Sequence, residues 1–514
     1  MSEHHLVREY LSGRLSRRAF LRRAAAAGLS VPAVSALLAA CGSNNKNANT
    51  GNAKATNAGA SNAATVAGGT TTAGQRFKGT VQILVGFGTG NAPAQIPVQQ
   101  ELAEAYMKQQ PDVKIEFVRV PDSTAAQQKL TVATAGGQPP DVVLPAGRYG
   151  VYLFVDQGIW QDLGPRLAQS GVNLDAYPPN VLEAIRATGY YPQNSKAAIG
   201  VPAGYHVHVM AYNKELFAKA NVPEPPHKWD TADWTYEKQL EYAKRLTLDK
   251  NGRSAADPGF DPNNVVQWGM GHFFPEMFWH GFGGRHYDPA TRKAQFDTQE
   301  SIGGLQWASD LVNKHHVLLT DVLAKSQGGG EGGQAFLWTS GKVAMIDMCT
   351  CDFASFGQAK DFKWDIAAMP KGPKRTFAFL NVDVGAIPRA SKQQDLAWDV
   401  LRFFLIQQPN ASHLILDSYG AIPPEKGQES KFAENIKGKY PNLDVQVILD
   451  AIQYCSGANE DWIPNYAQVN QLTGKHFDVI MLGQAPADSE MRKLQSEAQA
   501  AIDDWFKNNK LPTA

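Results

Sequence analysis

The chain has 514 residues, and its 49 basic and 49 acidic side chains leave it formally neutral, with no basic stripe of the kind a phosphate backbone requires. Nucleic acid is therefore not an expected partner. At 43% hydrophobic with only four cysteines, it can form two or more cored domains but not a disulfide scaffold.

In chain order, Ser16-Arg17-Arg18-Ala19-Phe20-Leu21-Arg22 leads into an Ala-rich apolar run ending in Leu38-Ala39-Ala40-Cys41. A charged segment, a modestly apolar one and small residues before a cut make an export signal, and paired Arg followed by Phe and Leu resembles the twin-arginine type. Leu38 to Cys41 resembles a bacterial lipobox. Residues 1–40 are thus expected to be removed and Cys41 to be lipidated. The rival reading is a spanning anchor, but residues 24–40 number only 17 and are interrupted by Gly28, Ser30, Pro32 and Ser35, where a span needs about 20 apolar residues. The expectation is an exported protein held by lipid on the outer face of the cytoplasmic membrane, at the cell surface or the periplasmic side. The signal holds six Arg and two Glu, so its loss leaves 43 basic against 47 acidic residues.

From Gly42 to Gln75 the only charges are Lys46 and Lys54 and the only large aliphatic is Val66. Such a segment buries too little to offset its conformational entropy, and is expected to be a flexible tether with a reach of about 30 Å. Next come a strand at Val81 to Phe87, a helix carrying Leu102, Ala105, Tyr106 and Met107, and a strand at Val113 to Val120. A helix at Ala125 to Ala135 and the run Val142-Val143-Leu144 follow. That spacing predicts β-α-β units on a mostly parallel sheet. Two apolar segments, Tyr205 to Tyr212 and Phe377 to Ile387, are candidates for connections between lobes. Helices are predicted at Tyr236 to Leu246, Ile302 to His315, Leu396 to Ile406, Ala411 to Leu416 and Ser489 to Phe506.

Several strings then resemble one family, in a single order. Gly137 to Val142 resembles a GQxPDV turn, Tyr212 to Phe217 a YNKxLF segment and Gly341 to Met345 a GKxAM strand. Val222 to Pro226, Trp234-Thr235, Ala243 to Thr247, Met369 to Pro373 and Tyr419 to Pro423 match in turn. The resemblance is to the extracellular solute-binding proteins of ABC importers, in the carbohydrate-type group that includes maltose-binding protein. It implies an α/β, two-lobed periplasmic-binding-protein fold of type II, with mostly parallel sheets joined by hinge strands. Lobe I would take residues 76–208 and 386–436, and lobe II residues 209–385 and 437–514. It further implies a monomer that captures a mono- or oligosaccharide between its lobes and delivers it to permease subunits. Neither cofactor nor metal nor enzymatic activity is expected.

A sugar offers hydroxyls at its rim and apolar faces above and below, so its site needs rings for area and planar polar groups for direction. The aromatic-rich stretch 271–284 falls where the family carries a stacking ring, which nominates Trp279 first and Phe274 beside it. Asp352 and Phe353 follow the GKxAM strand, where many relatives place a Trp that is missing here. Phe87 ends the first strand, where relatives often show an aromatic, and Arg148 and Tyr149 follow the third, where relatives carry cleft residues. His206 and Asn381 lie in the two crossing segments; the family places a polar ligand contact near His206, which is either that contact or a satisfied core or hinge residue. Trp462, beside Glu460 and Asp461, is the second candidate for stacking.

Three other signals carry less. His272, Glu276 and His280 share an i, i+4, i+8 spacing, but Pro275 interrupts any single helix through them. Gly328 to Gly333 lacks the Lys-Ser/Thr of a phosphate loop. Cys349 or Cys351 could bridge to Cys455, or all three could be buried thiols, and Cys-x-Cys alone is weak evidence for zinc. Because Asp and Glu abound, a surface-attached carbohydrate hydrolase using paired carboxylates is the alternative function.

Overall fold

The computed structural model describes residues 75–155, 157–186, 197–326, 333–456 and 463–509, without the side chains of 148–151, 354 and 358. The signal segment, Cys41, most of the tether, the Gly328 to Gly333 stretch apart from its last residue and Trp462 lie outside the described residues. All of the described residues belong to the unit that begins at Thr65.

Strands β1 (Gly79–Val85), β2 (Val113–Arg119) and β3 (Val142–Val143) form a parallel sheet in the order β2-β1-β3, with Val81 opposite Ile115 and Ile83 opposite Val142. Val81, Ile83, Leu84 and Val85 are all fully buried, as a sheet covered on both faces demands. The helix Ile96–Gln109 turns Leu102, Ala103 and Tyr106 inward. The next helix spans Ser123–Ala135 and begins two residues before the predicted start, because the Asp122 side chain accepts the Ala125 N–H at 2.8 Å and caps it.

Strand β4 (Val201–Asn213) is buried along all 13 residues. After it come β5 (Leu248–Asp249), β6 (Val265–Gly271), β7 (Tyr287–Asp288), β8 (Lys293–Ala294), β9 (Leu318–Leu319), β10 (Val343–Cys349), β11 (Trp364–Ala367) and β12 (Leu380–Gly385). The first half of β4 runs antiparallel to β12, with His206 opposite Asn381. Its second half runs antiparallel to β10 and β11, with His208 opposite Cys349. Strand β6 pairs parallel with β10 and β9, so a second sheet grows from the far end of β4. Ala386, just past β12, bridges Val143 of β3. Both apolar segments singled out in the sequence thus lie across the junction between two α/β layers.

Where β4 passes β12 it takes three residue steps, from Pro202 to Tyr205, against two from Val384 to Val382. This bulge bends the strand at Gly204, whose φ is +104°. A Cβ there would lie 2.6 Å from the Ala421 Cβ, so close approach as well as backbone angle calls for glycine.

The chain ends in two helices, Tyr466–Met481 and Ala487–Asn508, packed against the helix Gln299–Asn313. Buried His476 Nδ1 and Glu490 Oε2, 2.6 Å apart, join the pair. No helix among the described residues is long and apolar enough to cross a membrane.

The cysteine alternatives resolve differently from either expectation. Cys349 and Cys351 are disulfide-bonded to each other, with Cα atoms 5.1 Å apart. Cys455 is a free thiol that donates to the Phe379 carbonyl at 3.4 Å.

Candidate functional site

Parallel strands present their ligands at their carboxyl ends. Here the ends of β1, β3, β6 and β10 converge on one cavity of about 320 Å³, and β4 and β12 cross it. Phe87, Gly88 and Thr89 come from the end of β1, and Gly147 from the end of β3. A Cβ on Gly147 would lie 2.7 Å from the Phe87 carbonyl oxygen, which keeps that wall thin. His272 and Phe274 follow β6, while Cys349, Cys351 and Asp352 follow β10. Glu276, Tyr466 and Asn470 supply the helical side. No Lys or Arg is among the described lining residues. A larger hollow of about 990 Å³, beside Lys214, Lys363 and Tyr440, contains none of these groups.

The crossing strands carry the polar centre. His206 Nδ1 lies 3.2 Å from Thr350 Oγ1, and Nε2 lies 3.8 Å from Asp383 Oδ2, too far for a hydrogen bond. The same Asp383 oxygen accepts from the Thr89 hydroxyl. His206 is only 2% exposed, yet its Nε2 has no hydrogen-bond partner among the described residues. Buried polar atoms almost always have one. A ligand hydroxyl placed between Nε2 and Asp383 could satisfy both.

Beside it, His208 Nδ1 lies 2.9 Å from both oxygens of fully buried Asp347, and Asn381 Nδ2 lies 3.1 Å from His208 Nε2. Asn381 Nδ2 can only donate, which makes His208 Nε2 the acceptor and Nδ1 the proton-bearing nitrogen that donates to Asp347. The chain of bonds therefore fixes Asn381 from behind. Phe379 stands edge-on to His208 at 5.4 Å and to Phe274 at 6.0 Å, giving the cavity an apolar wall. Burial pushes the Asp352 carboxyl above its usual range, and the nearby Asp347 carboxylate acts in the same direction.

Five of the sequence-predicted residues, Phe87, His206, Phe274, Asp352 and Asn381, meet at this cavity. Trp279 does not. It is fully buried, parallel to Phe296 at 5.8 Å and edge-on to Phe477 at 5.7 Å, so it is a core ring with no face to offer a sugar. Pro275 starts the helix Pro275–Gly281, a phase that turns Phe278 and Trp279 inward and leaves Phe274 before the first turn. His272 falls outside that helix, so His272, Glu276 and His280 share no helix face. Phe353 is likewise turned away, packed against Trp364 and Tyr440. Arg148 and Tyr149 open the helix Arg148–Val155 next to Gly147, but their side chains lie outside the description.

Thr89, His208, Phe379 and Asp383 were missed as candidates. Period two along a strand places His208 on the face of His206, and Asp383 on that of Asn381. Nothing in the sequence singled out Thr89.

Residues 91–405 match the family of bacterial extracellular solute-binding proteins. The maltotriose-binding protein of Pyrococcus abyssi (strain GE5 / Orsay) is 27% identical over 218 residues, which is 42% of this chain and only 40% of that protein. A putative binding protein of Brucella abortus (strain 2308) is 23% identical over 415 residues, 79% of this chain and 90% of that one. Among solved structures, an ABC substrate-binding protein from Listeria monocytogenes in complex with cycloalternan is similar with a TM-score of 0.67 at 16% identity, over 83% of this chain and 100% of that one. A maltose-bound protein of T. maritima gives 0.62 at 17% identity, over 82% of this chain and 100% of its own. At such identities the structures speak to the fold alone, which is α/β and two-lobed. With more than half of its length matched by the family, the chain belongs to the bacterial extracellular solute-binding proteins.

Proposed function

We propose that this protein is the substrate-binding component of an ABC importer, which takes a mono- or oligosaccharide into the cavity and hands it unaltered to membrane permease subunits. The observation that carries this is the buried, unpartnered His206 Nε2 facing Asp383 across 3.8 Å, a gap that suits one bridging hydroxyl. The phenyl wall of Phe274 and Phe379 supports it, since it suits the apolar face of a pyranose. Relatives that bind maltotriose, maltose and cycloalternan point to the same ligand class. The lobes would comprise residues 76–208 with 386–436, and 209–385 with 437–514, acting as one monomer. Ligand-driven closure of two such lobes is a familiar motion.

Calorimetric titration with a panel of mono- and oligosaccharides should find one that binds at one per chain. Phe274→Ala should weaken that binding by about 1–2 kcal/mol, the cost of truncating a wall ring. Binding of peptides but of no sugar would overturn the assignment. Recovery of a cleaved sugar from the complex would favour the hydrolase alternative.

The export reading belongs to the same proposal, with the twin-arginine-like signal leading to diacylation of Cys41 and the tether leaving the domain free to meet its permease. Cys41→Ala should shift the protein from the membrane fraction to the soluble fraction at unchanged sugar affinity. A variant with a cleaved signal that still pellets with membranes rules out the anchor.

A further inference from the structure

The sugar reading makes no use of the sulfur in the cavity wall. Cys349 ends β10, and Cys351 lies two residues on in the 3₁₀ turn Thr350–Ala354. Both line the cavity. Cys349 Sγ, Cys351 Sγ and a carboxylate oxygen of Asp352 all lie within 4.8 Å of one another. Asp352 is held there because its Oδ2 accepts the Cys349 N–H at 3.2 Å. His272 lines the same cavity after β6, at a φ of 56°, and its buried Nδ1 has no hydrogen-bond partner among the described residues. It stands outside the close group of three, so its ring would have to turn toward them to join in ligation.

Bridged sulfurs cannot ligate a cation. A dithiol reductant changes this, because two electrons and two protons pass to the S–S bond, two thiols form and the reductant closes its own disulfide. Two thiols flanking one residue, a carboxylate and an imidazole are a donor set for a borderline or soft cation rather than for calcium or magnesium. Binding is then balanced by release of the two thiol protons. We infer that the reduced Cys349 and Cys351, with Asp352 and His272, form a binding site for a thiophilic divalent cation of the zinc and cadmium class. An intact disulfide closes it.

The test uses the full chain carrying Cys41→Ala and Cys455→Ser, so that the only thiols are those of the site. It is reduced with a dithiol, desalted without oxygen and titrated with cadmium alone. The expected result is a thiolate-to-cadmium absorption band that saturates at one cation per chain, with about two protons released. The disulfide form should give no band. Asp352→Asn and His272→Ala should each raise the dissociation constant by about tenfold or more. No band in the reduced protein, saturation at one cation per two chains, or indifference to both substitutions would overturn the site. Circular dichroism of each variant separates a lost ligand from a lost fold, and the unsubstituted pair carries the main result without either variant.

Discussion

Trp279→Ala should lower the stability of the folded domain by about 3–5 kcal/mol, the usual cost of deleting a buried Trp side chain, and should leave sugar affinity unchanged. Trp279 has no exposed surface and is walled by Phe296, Phe477 and His286, the last edge-on at 4.3 Å. Its Nε1 has no hydrogen-bond partner among the described residues, so the loss is one of packing. Removing the ring opens space between the helix Pro275–Gly281 and the first of the two C-terminal helices, where backbone on both sides resists collapse. Guanidinium unfolding read by circular dichroism should show a lower midpoint at an unchanged slope. A midpoint close to that of the unsubstituted protein, together with a fall in sugar affinity, would return Trp279 to the cleft and refute its place in the core.

Asp347→Ala should cost about 1–3 kcal/mol, because it leaves a buried imidazole N–H without its acceptor. Asp347 is fully buried, and both of its oxygens lie 2.9 Å from His208 Nδ1. Without it the Nδ1 proton has no acceptor, and His208 no longer offers a fixed nitrogen to Asn381. Sugar binding should therefore weaken along with stability, although Asp347 does not line the cavity. A double-mutant cycle with His208→Phe checks the argument. Once the imidazole is gone, Asp347→Ala should cost much less than it does alone. Additive costs would show that the two side chains are not coupled.

The three-stranded sheet and its helices were legible in the sequence because two short apolar runs and one alternating run are separated by segments with a helical period of about 3.6. The crossing strands were legible for a different reason. Tyr205 to Tyr212 and Phe377 to Ile387 are mostly apolar, and their His, Asn and Asp side chains fall at period two on one face, as in a buried strand with one face at a site. Phe87 and Asp352 were found because the family resemblance marks the loops after their strands, which is where parallel sheets bind ligands. The aromatic stretch misled because four Phe and a Trp within 14 residues look alike until Pro275 fixes where the helix starts. Asp352 and Phe353 are adjacent, and a tight 3₁₀ turn sends one to the cavity and the other against Trp364. The Cys349–Cys351 bond depends on that same turn, and spacing alone could not choose it over a bridge to Cys455.

Strand β4 is laddered to β12 on one side of its midpoint and to β10 on the other. His206, His208, Asn381 and Asp383 are thus mounted on one hydrogen-bonded ribbon. Flexing that ribbon carries the four together, so their mutual spacing survives any change in how far apart the flanking loops stand. Under the proposed sugar reading, discrimination between epimers would reside in the ribbon, and dwell time in loops such as those bearing Thr89 and Phe274. Lineages could retune residence without changing which stereoisomer they accept.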